Sequence, residues 1–334
     1  MKTIWFDFTN PPHVNLYLPL LRHLESNNNK VICTARDFVE TMSLLSQNNI
    51  SFEKFGVHGG KSKVGKILAF AERDLKLFFR MPKFDVSISS NYEAPQVSWL
   101  RGRTSIVFDD NDISPNWLYA KFANYVICPE AINKNAMIGM GIKPNKLITY
   151  SGYKEDIYIA SFQPDSTFLE KLPFQKFVTV RPENLFASYV TKGSKSIVPE
   201  LIEKLTKQGH NILYVPRYET DRLYVQKQDN IYIPEKPLSG LDICYYSDVV
   251  LTGAGTFSRE ASLMGTPAVS FYAGNDFLSV DKKLFSENKV FFSRRVDEII
   301  EFISKTQKDS PDLSRSIKVQ KEVFGIVDNI INFK

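Results

Sequence analysis

The sequence predicts two doubly wound α/β domains, each an open parallel sheet with helices on both faces. The chain has 334 residues, against roughly 100–200 residues for an ordinary domain. Short β-branched or aromatic runs alternate with helical patterns, the signature of βαβ units. The alternation pauses over Tyr158–Pro173, where Pro164 and Pro173 interrupt any periodicity, and then restarts. The expected domains are therefore residues 1–155 and 156–334.

In the first half, strands are expected at Ile4–Phe8, Lys30–Thr34, Ser51–Phe55, Val86–Ser89, Ser105–Phe108 and Tyr125–Cys128. Helices are expected at Val14–Glu25, Phe38–Gln47 and Ile67–Phe79. Leu16, Leu20, Leu21 and Leu24 define the buried face of the first helix. In the second half, Phe177–Val180, Asn211–Val215, Ile231–Ile233, Val249–Leu251 and Ala268–Tyr272 read as strands. Ser196–Gln208, Leu241–Tyr246 and Phe257–Met264 read as helices. A last helical pattern, Ile317–Phe333, is placed to pack back across the domain junction.

Composition narrows the function classes. Hydrophobic residues are 43% and charged residues 24% of the chain, which excludes a disordered or fibrous protein. The net charge of +5 comes from 42 basic and 37 acidic residues. No basic stripe with a nucleic-acid motif accompanies it, so the excess suits an anionic small ligand or acidic lipid. Cys33, Cys128 and Cys244 form no CxxC pair and lie in apolar stretches. They are expected as buried free thiols in a reducing compartment. Asp7 interrupts the opening apolar run too early for a signal peptide, and no run approaches the ~18–20 apolar residues of a membrane span. A cytoplasmic location is expected.

The chemistry concentrates in Asp248–Val269. A β-branched strand runs into Gly253-Ala254-Gly255-Thr256, a helix opens at once, and Gly265 with Pro267 closes it. Gly253 and Gly255 are expected to take positive φ and to let a ligand approach the backbone closely. The first helical turn offers unpaired N–H groups and the positive end of the dipole, which suits a phosphate. Glu260, about one turn in, suits the vicinal hydroxyls of a ribose.

The pattern Gly253-x-Gly255-Thr256-x-x-x-Glu260-Ala261-x-x-x-Gly265-x-Pro267 resembles the nucleotide-sugar site in the C-terminal domain of GT-B glycosyltransferases. It is also similar to the matching site of the non-hydrolysing UDP-N-acetylglucosamine 2-epimerases. Over nearly its full length the chain resembles the mainly archaeal domain-of-unknown-function family 354. The likeness runs through Asp7-Phe8-Thr9-Asn10-Pro11-Pro12-His13, Ser105–Asp110, Arg181-Pro182-Glu183 and Gly255–Pro267. The resemblance implies a GT-B fold: two Rossmann-like domains facing a cleft. It further implies that Gly255 and Thr256 hold a diphosphate and Glu260 a ribose, with no metal and no cofactor. The epimerases carry a functional histidine where Val180 stands before Arg181-Pro182-Glu183-Asn184. Their N-terminal arginine and Gly-Asp-Thr motifs are absent, Ser89-Ser90-Asn91-Tyr92-Glu93 being found instead. These departures count against epimerisation and leave nucleotide binding untouched.

Ligands of open parallel sheets sit at the carboxyl ends of the strands. This nominates Asn10 and His13 after the first strand, and Asp109 and Asp110 in the Asp109-Asp110-Asn111-Asp112 run. His13 or one of these carboxylates can serve as general base toward an acceptor hydroxyl; for the carboxylates a solvated turn is the other reading. Asp110-Asn111-Asp112 also spells the Asp-x-Asp signature of metal-dependent transferases, a tripeptide common by chance. Arg181 is the candidate cation for the diphosphate, with Lys192 and Arg217 behind it. Asn275 and Asp276 follow the last strand and are candidates for the donor sugar. Finally, Lys61, Lys63, Lys66, Arg73, Lys76, Arg80 and Lys83 surround Ile67, Leu68, Leu75, Phe78 and Phe79. That stretch reads either as an ordinary helix with a solvated basic face or as a peripheral contact with an anionic membrane.

The expected function is a metal-independent glycosyltransferase with a UDP-linked donor and an acceptor, a lipid-linked one included. A nucleotide-sugar epimerase or hydrolase on the same fold, or a non-catalytic nucleotide-sugar binder, are the alternatives.

Overall fold

The computed structural model describes residues 1–38, 40–57, 63–185, 190 and 193–332, with the backbone alone for 57 and 63–68. The chain divides into two compact units, Met1–Tyr158 with Ile317–Lys334, and Ile159–Ser316.

The first unit runs β1 (Thr3–Phe8), α1 (Pro11–Ser26), β2 (Lys30–Asp37), α2 (Thr41–Gln47), β3 (Glu53–Val57), α3 (Lys63–Arg80) and β4 (Val86–Ser89). It continues with α4 (Glu93–Leu100), β5 (Thr104–Phe108), α5 (Trp117–Ala120), β6 (Tyr125–Pro129), α6 (Lys134–Gly139), β7 (Leu147–Tyr150) and α7 (Lys154–Ile159). Its seven-stranded sheet has the order β3-β2-β1-β4-β5-β6-β7, and every pairing is parallel. The run Ile4–Phe8 is buried throughout, as a central strand covered on both faces requires. Right-handed crossovers place α1 and α2 on one face and α3, α4 and α5 on the other. Contacts of α1 with α2, of α3 with α4 and of α4 with α5 agree.

The second unit runs β8 (Val178–Arg181), α8 (Val198–Lys207), β9 (Ile212–Tyr214), β10 (Ile231–Tyr232), α9 (Gly240–Tyr246), β11 (Val249–Thr252), α10 (Gly255–Leu263), β12 (Ala268–Ser270), α11 (Ser279–Ser286), β13 (Phe291–Phe292) and α12 (Val296–Lys305). Its sheet has the order β10-β9-β8-β11-β12-β13, again all parallel. Leu201, Leu205, Ile212, Leu251, Phe271 and Ile299 belong to its core.

The last helix, α13 (Ser314–Asn332), returns to the first unit, so the second unit ends at Ser316 rather than extending through the expected 156–334. Val319, Val323, Val327 and Ile331 are its buried stripe. Val319 lies so close to Gly152 that a Cβ there would meet its Cγ2 at 2.4 Å. Phe324 stacks on His23 at 4.4 Å between ring centroids, and Asp328 Oδ2 lies 2.8 Å from His23 Nε2.

Most expected elements are present, with shifted ends. The first helix begins at Pro11 rather than Val14, because two prolines fit the first turn, where an N–H has no intrahelical partner. α4 is not among the expected helices; its Pro95 occupies the first turn, where proline is tolerated. Nor are α5, α6, β7, α7, α11, β13 and α12 among the expected elements. All three cysteines are free and buried. Among the described residues, no helix is long and apolar enough to cross a membrane.

Candidate functional site

In each sheet the chain first builds outward in one direction and then reverses. The reversal lies between β1 and β4 in the first unit and between β8 and β11 in the second. Such switch points open a crevice at the carboxyl ends of the two strands, and the candidate residues collect at both.

In the second unit, β11 is wholly buried and ends beside β8, with Thr252 opposite Arg181. Gly253 N donates to Arg181 O at 3.1 Å, and Ala254 N donates to Thr252 Oγ1 at 2.9 Å. Ala254 is the N-cap of α10 and has no capping side chain to offer, so the first-turn amides are left for another acceptor. Neither Gly253 nor Gly255 takes positive φ, contrary to expectation. Gly253 is needed for close approach: a Cβ there would lie 2.5 Å from Glu183 Cα and 2.8 Å from Glu183 N. Positive φ occurs at the far end of the helix, at Gly265 (φ +80), where a left-handed residue closes the last turn.

Two cations flank this turn. Arg181 lies over the Phe257 ring, its Cζ 5.4 Å from the centroid. Arg259 reaches back along its own helix. Its Nη2 donates to Thr256 Oγ1 at 3.3 Å, and its Nη1 pairs with Asp281 Oδ1 of α11 at 2.7 Å. Glu260, the next residue of α10, is buried. Asn275 and Asp276 are exposed on the loop from β12 to α11.

The neighbouring polar residues serve the scaffold. Glu183 Oε2 accepts from Ser196 Oγ at 2.7 Å, and its Oε1 accepts from Ile197 N and Arg294 Nη1, both at 3.2 Å. This fixes the start of α8. Arg217 Nε donates to the Pro182 carbonyl at 3.0 Å. Lys192 lies outside the described residues. A further hollow of about 500 Å³ lies between Asp165–Lys171 and the loop that follows β10.

In the first unit a polar cavity of about 240 Å³ occupies the switch point, lined by residues that include Asn10, His13, Ser90, Asp109, Asp110 and Lys154. Pro11 and Pro12 remove two of the first-turn N–H groups of α1, and His13 N is used by Asn10 O at 3.0 Å. This helix start is therefore unsuited to a phosphate, unlike that of α10. His13 is buried, with Nδ1 3.3 Å from Thr9 Oγ1. Burial, then the charge of Lys154, lowers its pKa to about 3, so the imidazole is neutral and weakly basic. Asp109 behaves in the opposite sense. Burial raises its carboxyl to about 7, against hydrogen bonds from Tyr119 Oη and Asn111 N.

The three aspartates of the run do not act together. Asp110 Oδ2 pairs with Lys154 Nζ at 2.8 Å. Asp112 is buried and Oδ2 accepts from Asn133 N at 3.0 Å, ahead of α6. Asn111 closes a turn by accepting from Ile113 N and Ser114 N. Among the described residues, no group of three or more His, Cys, Asp or Glu could hold a metal ion.

Behind the cavity lies a buried ionic network. Arg73 Nη2 donates to Asp7 Oδ1 at 2.6 Å, and its Nη1 lies 3.1 Å from Glu93 Oε1. Asn91 Nδ2 donates to Asp7 Oδ2 at 2.5 Å. The expected basic face of α3 thus loses Arg73, which is buried to neutralise two carboxylates. Lys61 lies outside the described residues, as do the side chains of Lys63, Lys66, Ile67 and Leu68.

Three residues at these sites escaped the sequence reading. Arg259 carried a signal, since three or four residues along a helix bring its side chain back to Gly255 and Thr256. Tyr119 and Lys154 carried none, because only the order of β5, β6 and β7 brings them to Asp109 and Asp110.

Two Rossmann-like domains, each with polar residues gathered at the switch point of a parallel sheet, define a protein of the GT-B fold. Within that class, residues 2–333 match the family described as "Protein of unknown function (DUF354)", and the chain belongs to it. It is 28% identical over 314 residues to the uncharacterized protein MJ0665 of Methanocaldococcus jannaschii, covering 90% of each chain. Its fold is similar to that of M. jannaschii UDP-GlcNAc 2-epimerase in complex with UDP-GlcNAc and UDP. The TM-score is 0.71 and the identity 14%, over 98% of this chain and 99% of that one. It is also similar to the glycotransferase of kitacinnamycin, with TM-score 0.64 and 10% identity over 99% of both chains.

Proposed function

We propose that the chain is a metal-independent glycosyltransferase that moves a sugar from a UDP-linked donor to an acceptor hydroxyl. The observation that carries this reading is the uncapped start of α10 at the second switch point, flanked by Arg181 and Arg259, with Glu260 buried in the same helix. The epimerase of the same fold, solved with UDP-GlcNAc and UDP, supports the choice of ligand class.

In this proposal the α10 amides and the two guanidiniums receive the diphosphate, and Glu260 accepts from the ribose hydroxyls. As the anomeric bond breaks, negative charge grows on the leaving phosphate. The cations and the helix dipole then stabilise the transition state more than the ground state. The acceptor binds in the first unit's cavity, where carboxylates, an amide and a lysine suit a polyhydroxylated group. Asp109, with a pKa of about 7, is matched to removing the acceptor proton near neutrality, whereas His13 at about 3 is a weak base there.

The similarity to the epimerase favours a second reading, epimerisation, against which Val180 in place of the expected histidine counts. Incubation with UDP-GlcNAc and related donors separates the two. Sugar appearing on an added acceptor supports transfer. An epimer formed without acceptor supports the second reading, and free UDP and sugar formed without acceptor indicate hydrolysis. A thermal-shift screen over nucleotide sugars chooses the donor first, since a ligand of the native state raises apparent stability.

A further inference from the structure

The outer face of the α3–α4–α5 layer is apolar where a solvated surface is expected to be polar. Phe79 is 75% exposed, and Leu75, Trp99, Leu100 and Trp117 lie between 58% and 60%. Leu75 and Phe79 are four residues apart on α3 and form one stripe, and the opposite side of that helix buries Arg73 and Leu77. The face spans three helices because α3 packs on α4 and α4 on α5. Two of the chain's three tryptophans are on it, Trp5 alone being in the core. Half-buried Lys76 and exposed Arg80 are on α3, and exposed Lys83, Arg103 and Lys121 lie just beyond the ends of α3, α4 and α5. Of the acids on these elements, Glu72 pairs with Lys76, and Asp85 lies 3.9 Å from Arg103. The exposed apolar side chains therefore share these elements with an excess of cations.

We propose that this face docks the protein on an anionic lipid bilayer. Charge decides among the occupants. A second copy bound through the same patch would set positive surface against positive surface, whereas anionic headgroups complement the lysines and arginines. Tryptophan and phenylalanine beside cations are the side chains that settle at the boundary between headgroup and acyl chain. The inference is independent of the proposed transferase reaction, since none of these residues lies at the start of α10 or in the polar cavity.

The test is flotation of the intact protein with phosphatidylcholine vesicles, with and without phosphatidylglycerol. Binding is expected only with the anionic lipid and weakens as salt is raised. Phe79→Glu combined with Trp99→Glu, checked for folding by circular dichroism, lowers the partition constant about tenfold or more and leaves nucleotide affinity unchanged. In the unaltered protein, lipids brominated near the headgroup quench Trp99 and Trp117, a readout that needs no variant. No flotation with anionic vesicles at low salt overturns the proposal, as does flotation without quenching. A dimer in solution that the double variant dissociates also overturns it, by making a second copy the occupant.

Discussion

Arg259 pairs with Asp281 at 2.7 Å while its other amino group donates to Thr256 at 3.3 Å, so a buried cation is held against the first turn of its own helix. The aspartate holds the guanidinium in place and gives it a partner when no anion is bound. Replacing Arg259 by Ala removes a charge-assisted contact, and UDP affinity is expected to fall by about 1–3 kcal/mol. Uridine, which has no phosphate, should bind as before. Calorimetry with both ligands checks this; equal losses would show that Arg259 shapes the site rather than meeting the phosphates.

Asp109 sets the expected pH dependence of transfer. A base whose carboxyl titrates near 7 is protonated and idle at pH 5 and ionised at pH 8. Turnover should therefore rise with pH through about 7 and then level off. Asp109→Asn should lower turnover by about 10²–10⁴-fold with little change in donor affinity. A flat profile, or an active Asp109→Asn protein, would move the base elsewhere.

Asp74 lies near the Asp7–Arg73–Glu93 network, and its buried Oδ1 has no hydrogen-bond partner among the described residues. Burial first, then the charge of Glu93, raises its carboxyl to about 7. A pKa raised on folding favours the protonated native state. This contribution is complete below the unfolded value of about 4 and is lost as pH rises through about 7. Asp74→Asn should then stabilise the protein at pH 8 by about 2 kcal/mol and do little at pH 4. Denaturant curves at the two pH values decide, and an equal effect at both would contradict the assignment.

The two glycines before and at the start of α10 should fail differently. At Gly253 a Cβ meets the Glu183 backbone, which cannot move cheaply, so Gly253→Ala should cost about 1–3 kcal/mol of stability. At Gly255 the nearest atom is Arg259 Nη1, 3.1 Å from the added Cβ, and a guanidinium can turn aside. Gly255→Ala should keep its melting temperature and lose nucleotide affinity. Melting curves and calorimetry on both proteins check the contrast.

Much of this arrangement was legible in the sequence because it is local. The passage from Val249–Leu251 through Gly253 into a helix closed by Gly265 needs only neighbouring residues, and the structure has it. What escaped depends on distant parts of the chain. The reason for Gly253 is the backbone of Glu183, some seventy residues away. Arg73 reads as one more surface cation on a basic helix until Asp7 and Glu93 are brought to it across the sheet. Asp109, Asp110 and Asp112 look alike in a run, and only Tyr119, Lys154 and the Asn133 amide give them separate tasks. The final helix shows its apolar stripe in sequence, but Gly152 and His23 decide which unit receives it.

The start of α10, with Glu260 buried in the same helix, is proposed as a nucleotide diphosphate site. The most direct measurement is calorimetric titration of UDP into the intact chain and into a folded Glu260→Ala protein. Saturable binding is predicted for the first and a loss of about 1–3 kcal/mol for the second, the scale of hydrogen bonds to a charged group. Unchanged affinity in Glu260→Ala, or no binding of UDP to the intact chain, would contradict the account.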